Sequence, residues 1–394
     1  MIKLASRRAC PAAVIAIAVS AAPAVHADDR HHDGDDNRYV VTYLVSDLPG
    51  AAFQDQHLKN AWGVTFSPAA SPFWVSDNAA GLATLYDGDG TIVPLVVTIP
   101  CPTTPGQGSS CPTTAAPTGT VWNPTMALLV PGTTTPSHFI FATEDGTISA
   151  WDSGSAATIA VNNAIIPNAP NGAVYKGLAV GVNVNGVIVN GSANPNFVFL
   201  YATNFRAGTI EVFDAGFNQV TPGTPGKIDG NFTDADIPPG YAPFGIQNIN
   251  GNLFVTYAKQ NAQKHDDDAG KGRGFVDVFD TDGHLLRRFA SRGTLDSPWG
   301  VARASFAFGR FSGKILVGNF GDGKINVFES DGTFVDQLRD TNGKTIAIDG
   351  LWTLTLGGGA KSSSDTLYFT AGPNSEMAYS ARSPPHRTLT TIKI

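Results

Sequence analysis

The sequence is poor in cysteine, in charge and in long apolar runs, and each shortage excludes a class of protein. With only three cysteines among 394 residues, the usual four-ligand zinc sites have no cysteine set to build on. Charged residues make up 15% of the chain and acids outnumber bases by 33 to 26, whereas nucleic-acid binding depends on Lys and Arg that neutralise phosphates. Beyond residue 27 no stretch of about 18 apolar residues occurs, so no transmembrane helix is predicted.

Catalytic signatures are missing as well. The sequence contains no G-x-S-x-G, H-E-x-x-H or G-x-x-x-x-G-K-[ST] motif, which mark a hydrolase nucleophile, a zinc protease and a phosphate-binding loop. Helical periodicity is nearly absent. The sequence therefore favours an all-β protein and names no reaction.

The first 27 residues have the pattern of an export signal. A basic start precedes an apolar stretch, residues 12–24, that is too short to span a membrane as a stable helix, and a small-residue cleavage site ends at Ala27. Residues 28–38 are acidic and contain histidine, a composition typical of a disordered linker. We therefore expect a secreted or periplasmic protein.

Two cysteines remain after the export signal, Cys101 and Cys111, in a loop rich in Pro, Thr and Gly. In an exported protein such a pair predicts a local disulfide. The alternative is two free thiols.

A short motif recurs along the chain: an aromatic residue followed at once by an acid, with a glycine two or three residues after the aromatic in most copies. Each copy ends an alternating, strand-like stretch, and the glycine permits the positive φ of a tight hairpin turn. Repeats of roughly 50 residues are typical of β-propeller blades. The five copies begin at Tyr86, Trp151, Phe213, Phe279 and Phe328.

Two further strands precede the motif in each repeat. The second strands are FWVSD (73–77), FIFAT (139–143), FVFLYAT (197–203), LFVTYA (253–258), KILVGN (314–319) and TLYFTA (366–371). The first strands are placed at Trp62, Pro124, Lys176, Phe244, Trp299 and Leu351. This pattern predicts a six-bladed β-propeller of four-stranded antiparallel blades.

We expect this propeller to form a single domain over residues 39–394. Its last blade is atypical after residue 376, because no aromatic–acid strand follows there. Residues 39–45 and 389–394 are strand-like, and one or both would complete that blade and remove open sheet edges.

In combination, the runs SPFWVSDNAAGLATLYDGDG, FATEDGTISAWD, YATNFRAGTIEVFD and GNFGDGKINVFESDG resemble an uncharacterised family of secreted bacterial β-propellers. That family is distantly similar to NHL-repeat propellers. The resemblance covers residues 39 to 376 and implies the fold and the export route, but no activity.

In a four-stranded blade, the loop after the second strand opens on the same face as the link into the next blade. Propellers usually bind ligands at that mouth of the channel, so we expect a site there for a small molecule, a glycan or a protein. The first set of loops supplies Asp77, Asn78, Glu144, Asp145, Asn204, Arg206, Lys259, His265 and Asn319. The second set supplies Asn60, Asn123, Lys176, Ser297 and Asp349.

Oxygen-bearing side chains at the mouth suggest a metal. Asn60, Asn123, Asp349 and Glu376 are candidate ligands for Ca²⁺, which takes about six to eight oxygen ligands. Lactonase-type and phosphotriesterase-type propellers use such a centre. The alternative is that these residues only form turns, which Asn and Asp also favour.

The longest loop at the mouth spans residues 259–274 and carries His265-Asp266-Asp267-Asp268. It is either a metal or ligand clamp or a solvated acidic loop that closes over the mouth, and the second interpretation is favoured. The predicted function is a monomeric binding or scaffold module. The alternative is a hydrolase or lyase in which Ca²⁺ polarises a carbonyl or phosphoryl oxygen and His265 or Asp266 is the base.

Overall fold

The computed structural model describes residues 37–68, 70–102, 114–164, 172–183, 188–189, 192–372 and 388–393, with the backbone alone for 188–189, 192–193 and 388–393. Strands account for nearly all regular structure in these ranges, together with two short 3₁₀ helices, Pro195–Phe197 and Gly309–Phe311. No helix in these ranges is long and apolar enough to cross a membrane.

The strands follow one another in groups along the chain. β1 (Val40–Ser46) and β2 (Phe53–Gln54) come first. The first group of four is β3 (Ala61–Thr65), β4 (Phe73–Asp77), β5 (Leu82–Tyr86) and β6 (Ile92–Thr98), and the second is β7 (Pro117–Trp122), β8 (Phe139–Thr143), β9 (Thr147–Trp151) and β10 (Thr158–Asn162). The third is β11 (Tyr175–Val182), a small hairpin of β12 (Ile188–Val189) and β13 (Ser192–Ala193), then β14 (Val198–Asn204), β15 (Thr209–Phe213) and β16 (Gln219–Val220).

The remaining strands are β17 (Tyr241–Ile249), β18 (Asn252–Lys259), β19 (Gly274–Asp280) and β20 (Leu285–Ser291) in the fourth group, and β21 (Pro298–Arg303), β22 (Ile315–Asn319), β23 (Ile325–Phe328) and β24 (Phe334–Gln337) in the fifth. β25 (Leu351–Leu356), β26 (Leu367–Ala371) and β27 (Thr388–Lys393) end the described chain.

How deeply a strand is buried depends on its position within its sheet. The second strand of a sheet is covered on both faces by the adjacent sheets, which is why β8, β14 and β22 are buried at every residue and apolar up to their polar ends. The outermost strand is covered incompletely, so β6 alternates between exposed and half-buried residues. The alternating stretches of the sequence are the third strands, and β9 and β23 among them are buried at every residue.

The described residues form an all-β propeller with four-stranded antiparallel blades, but the predicted count of six such blades is wrong. Five sheets have four strands, and the remaining large sheet has five, in the order β2-β1-β27-β26-β25. The difference arises because the chain turns back after β1 and adds β2 in parallel beside it, with Val45 opposite Phe53.

Both ends of the chain complete this five-stranded sheet. β1 pairs antiparallel with β27, Val40 lying opposite Lys393 and Ser46 opposite Thr388, and β27 pairs in turn with β26. The innermost strands of successive sheets pack against one another, and β25 packs against β3. The ring is therefore closed by pairing the two termini.

A β-bulge interrupts the pairing of every innermost strand near its start. In five of these strands a glycine ends the bulge, because the next innermost strand comes too close for a side chain. A Cβ built on Gly63 would lie 2.4 Å from the Thr118 carbonyl oxygen, and one on Gly245 would lie 2.2 Å from that of Trp299. Glycine at these positions therefore lets neighbouring innermost strands approach one another closely around a narrow channel.

Candidate functional site

The innermost strands begin, and the second strands end, on one face of the propeller. Ala61 lies opposite Asp77 in the first blade, and Tyr175 opposite Asn204 in the third. We call this face the mouth. The loops that follow the second strands are gathered here.

The bulge changes the direction of the side chain just before the glycine position. In most sheets that residue is aromatic. These aromatic residues meet across the channel as one buried cluster with Phe205 and Phe320 from the second-strand ends. Trp352 stacks on Trp62, with ring centroids 3.6 Å apart, and on Phe320 at 4.0 Å. The residues at the bulge position are Trp62, Thr118, Lys176, Phe244, Trp299 and Trp352.

Lys176 is the charged member of this set, and its side chain is only 1% exposed. Its Nζ donates to a carboxylate oxygen of Glu144 and, at 3.1 Å, to Oδ1 of Asp266. The same Nζ lies 4.9 Å from the centroid of the Trp62 ring, within cation–π range. Two carboxylates and an aromatic face therefore surround one buried ammonium.

The carboxylate of Glu144 extends this network sideways along the mouth. Its Oε2 accepts a hydrogen bond from Nδ2 of Asn78 at 2.9 Å, and Oδ1 of Asn78 accepts one from Nδ2 of Asn60 at 3.0 Å. The result is a continuous chain of polar contacts, Asn60 to Asn78 to Glu144 to Lys176. It joins the second-strand ends of the first two blades to the innermost strand of the third.

The loop after β18 folds over the mouth as a small hairpin. Gln260 bridges to Asp267, and the amide of Asn261 donates to the Asp266 carbonyl oxygen at 2.8 Å. The hairpin carries His265, whose Nδ1 lies 3.0 Å from both carboxylate oxygens of Asp266. Asp266 therefore links the loop to the centre of the channel.

The pKa directions follow from these contacts. Burial alone would lower the pKa of Lys176, but the charges of Glu144 and Asp266 outweigh it and raise that pKa. Burial would likewise raise the pKa of Asp266, yet the bond from His265 and the Lys176 charge hold it well below its usual range. The hydrogen bond to Asp266 raises the pKa of His265 against the effect of burial. At neutral pH the Lys176–Asp266 pair is fully ionised.

A cavity of about 510 Å³ opens between the loop and the aromatic cluster. Trp62, Trp352 and Asn60 line it and are each more than nine-tenths buried. The indole N–H groups of both tryptophans and Oδ1 of Asn60 make no hydrogen bond to any described residue. Buried polar groups are normally paired, so three unpaired polar groups on residues that line the cavity mark it as a candidate binding site.

The mouth residues predicted from sequence are placed at this face but have several different roles. Asn78, Glu144 and His265 line the cavity. Asp77 and Asn319 end their strands and are fully buried, and Asn319 Nδ2 donates to the Thr294 carbonyl oxygen.

The remaining mouth residues hold the loops. Asp145 accepts from the Ala116 amide, and burial raises the pKa of its carboxyl. Asn204 accepts from the Val174 amide, Arg206 donates to the Gly172 carbonyl oxygen, and Lys259 pairs with Asp268 at 2.8 Å.

The four candidate calcium ligands are not brought together among the described residues. Asn60 lines the cavity, but Asn123 follows the other end of β7, on the opposite face, where its amide donates to the Ala127 and Ser137 carbonyl oxygens. Placing the first strand of that blade at Pro124 was wrong, because the innermost strand is Pro117–Trp122. Asp349 is exposed, and Glu376 lies outside the described residues.

The described residues that do approach one another with metal-ligating atoms are Glu144, His265 and Asp266, all within 4.8 Å. Lys176 already bonds both carboxylates of that group. An oxygen-rich calcium centre therefore does not fit the residues at the channel axis.

The sequence pattern placed Lys176 at the mouth but did not predict its role, and it did not separate tryptophans that pack between blades from those that reach the channel. Trp74 and Trp151 do pack there, with Trp74 stacked on Phe139 at 4.2 Å. Trp62 and Trp352 instead reach the cavity. For Trp62 the signal that could have separated them is the Trp-Gly pair at the bulge, whereas Trp352 is followed by Thr353 and carries no such signal.

The predicted disulfide is not tested, because Cys111 lies outside the described residues. The same holds for the predicted export signal over residues 1–27. Both stay predictions from the sequence.

Comparison with known proteins gives relatives of unknown activity. Uncharacterized protein R648 of Acanthamoeba polyphaga mimivirus is 31% identical over 319 residues, which cover 79% of this chain and 72% of that protein. Uncharacterized protein L690 of the same virus is 36% identical over 180 residues, or 45% of this chain and 43% of its own length. No protein-family model matches the sequence.

Among solved structures, similarity extends over most of the chain at low identity. A streptogramin B lyase has a TM-score of 0.48 and 10% identity, covering 90% of this chain and 97% of its own. A gluconolactonase from Xanthomonas campestris has a TM-score of 0.46 and 14% identity, covering 86% and 87%. Similarity at this level says nothing about a reaction in this chain.

Proposed function

This chain belongs to the same family as uncharacterized protein R648 of the mimivirus, and from the chemistry of its channel mouth we propose that it binds an uncharged, polar small molecule. The observation that supports this is the cavity wall, where the Trp62 and Trp352 N–H groups and Asn60 Oδ1 lack partners among the described residues. A volume of about 510 Å³ lies within the range of small-molecule sites, roughly 300 to 1,000 Å³.

The charged side chains at the mouth are paired with one another, which favours an uncharged ligand. The ammonium of Lys176 is bonded to Glu144 and Asp266, so it has no free charge to offer an anion. Asp268, at the cavity edge, is paired with Lys259 and Arg273. A sugar or polyol, which both donates and accepts hydrogen bonds and has apolar C–H faces for aromatic edges, is the class that fits these groups.

Intrinsic tryptophan fluorescence tests this proposal, since two indoles line the site. We expect a saturable change on titration with members of a panel of mono- and disaccharides. Trp352→Phe keeps an aromatic ring but removes the indole N–H, and should weaken binding by up to about tenfold, the worth of one hydrogen bond.

Trp122→Phe is the matched control, because Trp122 lines a separate pocket at the opposite end of the channel. It should leave the affinity unchanged. Equal affinities for the parent and Trp352→Phe, or binding confined to charged ligands, would contradict the proposal.

A second candidate function is a hydrolase or lyase with His265 as general base. The observation in its favour is the Nδ1 contact with Asp266 at 3.0 Å, which orients the ring and leaves Nε2 to take a proton. The test is His265→Gln in an assay against lactones and esters: loss of turnover with ligand affinity retained would support catalysis. Turnover that survives the substitution would exclude His265 as the base.

We also propose that the chain is exported and monomeric. Export rests on residues 1–27 alone, and fractionation of expressing cells with N-terminal sequencing tests it. We expect the exported chain to begin at Asp28, and retention of residues 1–27 in the mature protein would exclude cleavage there.

A further inference from the structure

Lys176 stands at a position where the packing of the channel favours an aromatic ring. The matching residues of other sheets are Trp62, Phe244, Trp299 and Trp352. Lysine is almost never fully buried unless it is paired, yet this side chain is 1% exposed. A charge kept at this depth has a role that an aromatic ring would not fill.

The carboxylates around Lys176 indicate that role. Glu144 and Asp266 both bond its Nζ, and with His265 they offer ligand atoms within 4.8 Å of one another, a separation that one metal ion can span. The oxygens that would face a metal ion therefore face the ammonium. The ring of Trp62 adds a cation–π contact, which favours a cation of this shape at the same point.

We infer that Lys176 Nζ is the resident cation of the mouth. Its ammonium occupies the position between Glu144 and Asp266 that a divalent metal ion would otherwise take. A divalent ion bound to both carboxylates would lie beside the ammonium, and like charges at such distances repel strongly where water is excluded. The protein thus assembles its mouth, and holds the 261–269 loop through Asp266, without a bound metal.

This inference predicts that removing the lysine charge creates a metal site. One imidazole and two carboxylates suit Zn²⁺ or Co²⁺. Lys176→Met removes the ammonium and keeps an unbranched side chain. Because His31 and His32 are adjacent in the N-terminal segment and could capture metal, all proteins in the experiment carry His31→Gln and His32→Gln.

Titration with Co²⁺, followed by its visible absorption, measures the effect. We expect Lys176→Met to bind one Co²⁺ more tightly than the parent by about tenfold or more, the scale on which neighbours of metal ligands alter affinity. Adding His265→Gln to Lys176→Met should remove the gain, which locates the metal at this cluster. Equal affinities in the parent and Lys176→Met, or a gain that survives His265→Gln, would overturn the inference.

A second measurement needs no change at Lys176 and covers the case in which Lys176→Met does not fold. In protein labelled with ¹⁵N-lysine, the buried ammonium should give a resonance protected from solvent exchange. One equivalent of paramagnetic Mn²⁺ should leave that resonance sharp. Selective broadening of it would place the metal beside the lysine and refute the resident-cation role.

Discussion

At the scale of single residues, the ion pair between Glu144 and Lys176 is a contact whose loss should be costly, because the side chain of Lys176 is only 1% exposed. Glu144→Gln would leave a buried ammonium with Asp266 as its remaining charged partner, and breaking a buried pair costs about 3 to 5 kcal/mol. We expect a loss of about 3 kcal/mol, since Asp266 compensates in part.

Glu329→Gln is the matched control for that substitution. It breaks a Lys314 pair whose two side chains are 27% and 42% exposed, and exposed pairs contribute roughly 0 to 1 kcal/mol. Urea unfolding of both variants measures the difference. Similar losses in the two would show that Lys176 is not held by its charge.

Asp277 gives the stability of the protein a pH dependence with a definite sign. Its carboxylate is fully buried and bonded to Nε of Arg288 at 2.6 Å, and burial raises its pKa to about 7 against the opposing charge of Arg288. Between the unfolded value, about 3.9, and 7, the folded state holds the proton more tightly. Its contribution to stability is therefore full at acid pH and is lost as pH rises through 7.

Asp277→Asn removes this titration. We expect the melting temperature of the parent, measured from pH 5 to pH 8, to fall relative to that of the variant. Parallel melting curves over this range would mean that Asp277 keeps an ordinary pKa in the folded protein.

At the scale of elements, the ion pairs of the 261–269 loop include one with a buried lysine and two with exposed bases. Asp266 reaches the buried Lys176, whereas Asp268 pairs with Lys259 and Arg273, which are both 39% exposed. Asp266→Asn should therefore speed amide hydrogen exchange across the loop, while Asp268→Asn should change it little, because exposed pairs are screened by water. Hydrogen exchange read by mass spectrometry compares the two, and equal protection would show that the loop is fixed without the central lysine.

The elements are also where sequence and structure agree best. The second strands are mostly apolar, and the third strands of the five four-stranded sheets end at an aromatic–acid pair, so both can be predicted from residue pattern alone. The second blade shows the limit: its innermost strand, PTGTVW, has Thr118 where most other sheets have Trp or Phe, and the strand was wrongly predicted at Pro124. The site was harder still, because the contacts of Lys176 with Glu144 and Asp266 join residues 32 and 90 positions apart, and no local pattern encodes them.

At the scale of the whole molecule, the closing sheet determines whether the ring holds together. β1 pairs with β27 along its length. A chain that begins at Leu48 lacks β1 and leaves an open sheet edge where the ends now meet. We expect this truncation to melt at a lower temperature and to associate at raised concentration, as measured by calorimetry and light scattering, and a melt equal to that of the full chain would show that β1 is dispensable.

The pairing of β1 with β27 also determines when the ring can close during biosynthesis. Val40 leaves the ribosome early, yet its partner Lys393 is added only after the strands of all the other sheets have been synthesised. Translation proceeds at about 5 to 20 residues per second, so β27 is made on the order of tens of seconds after β1. During that time β1 lacks its native partner. The ring can therefore close only after β27 has emerged from the ribosome.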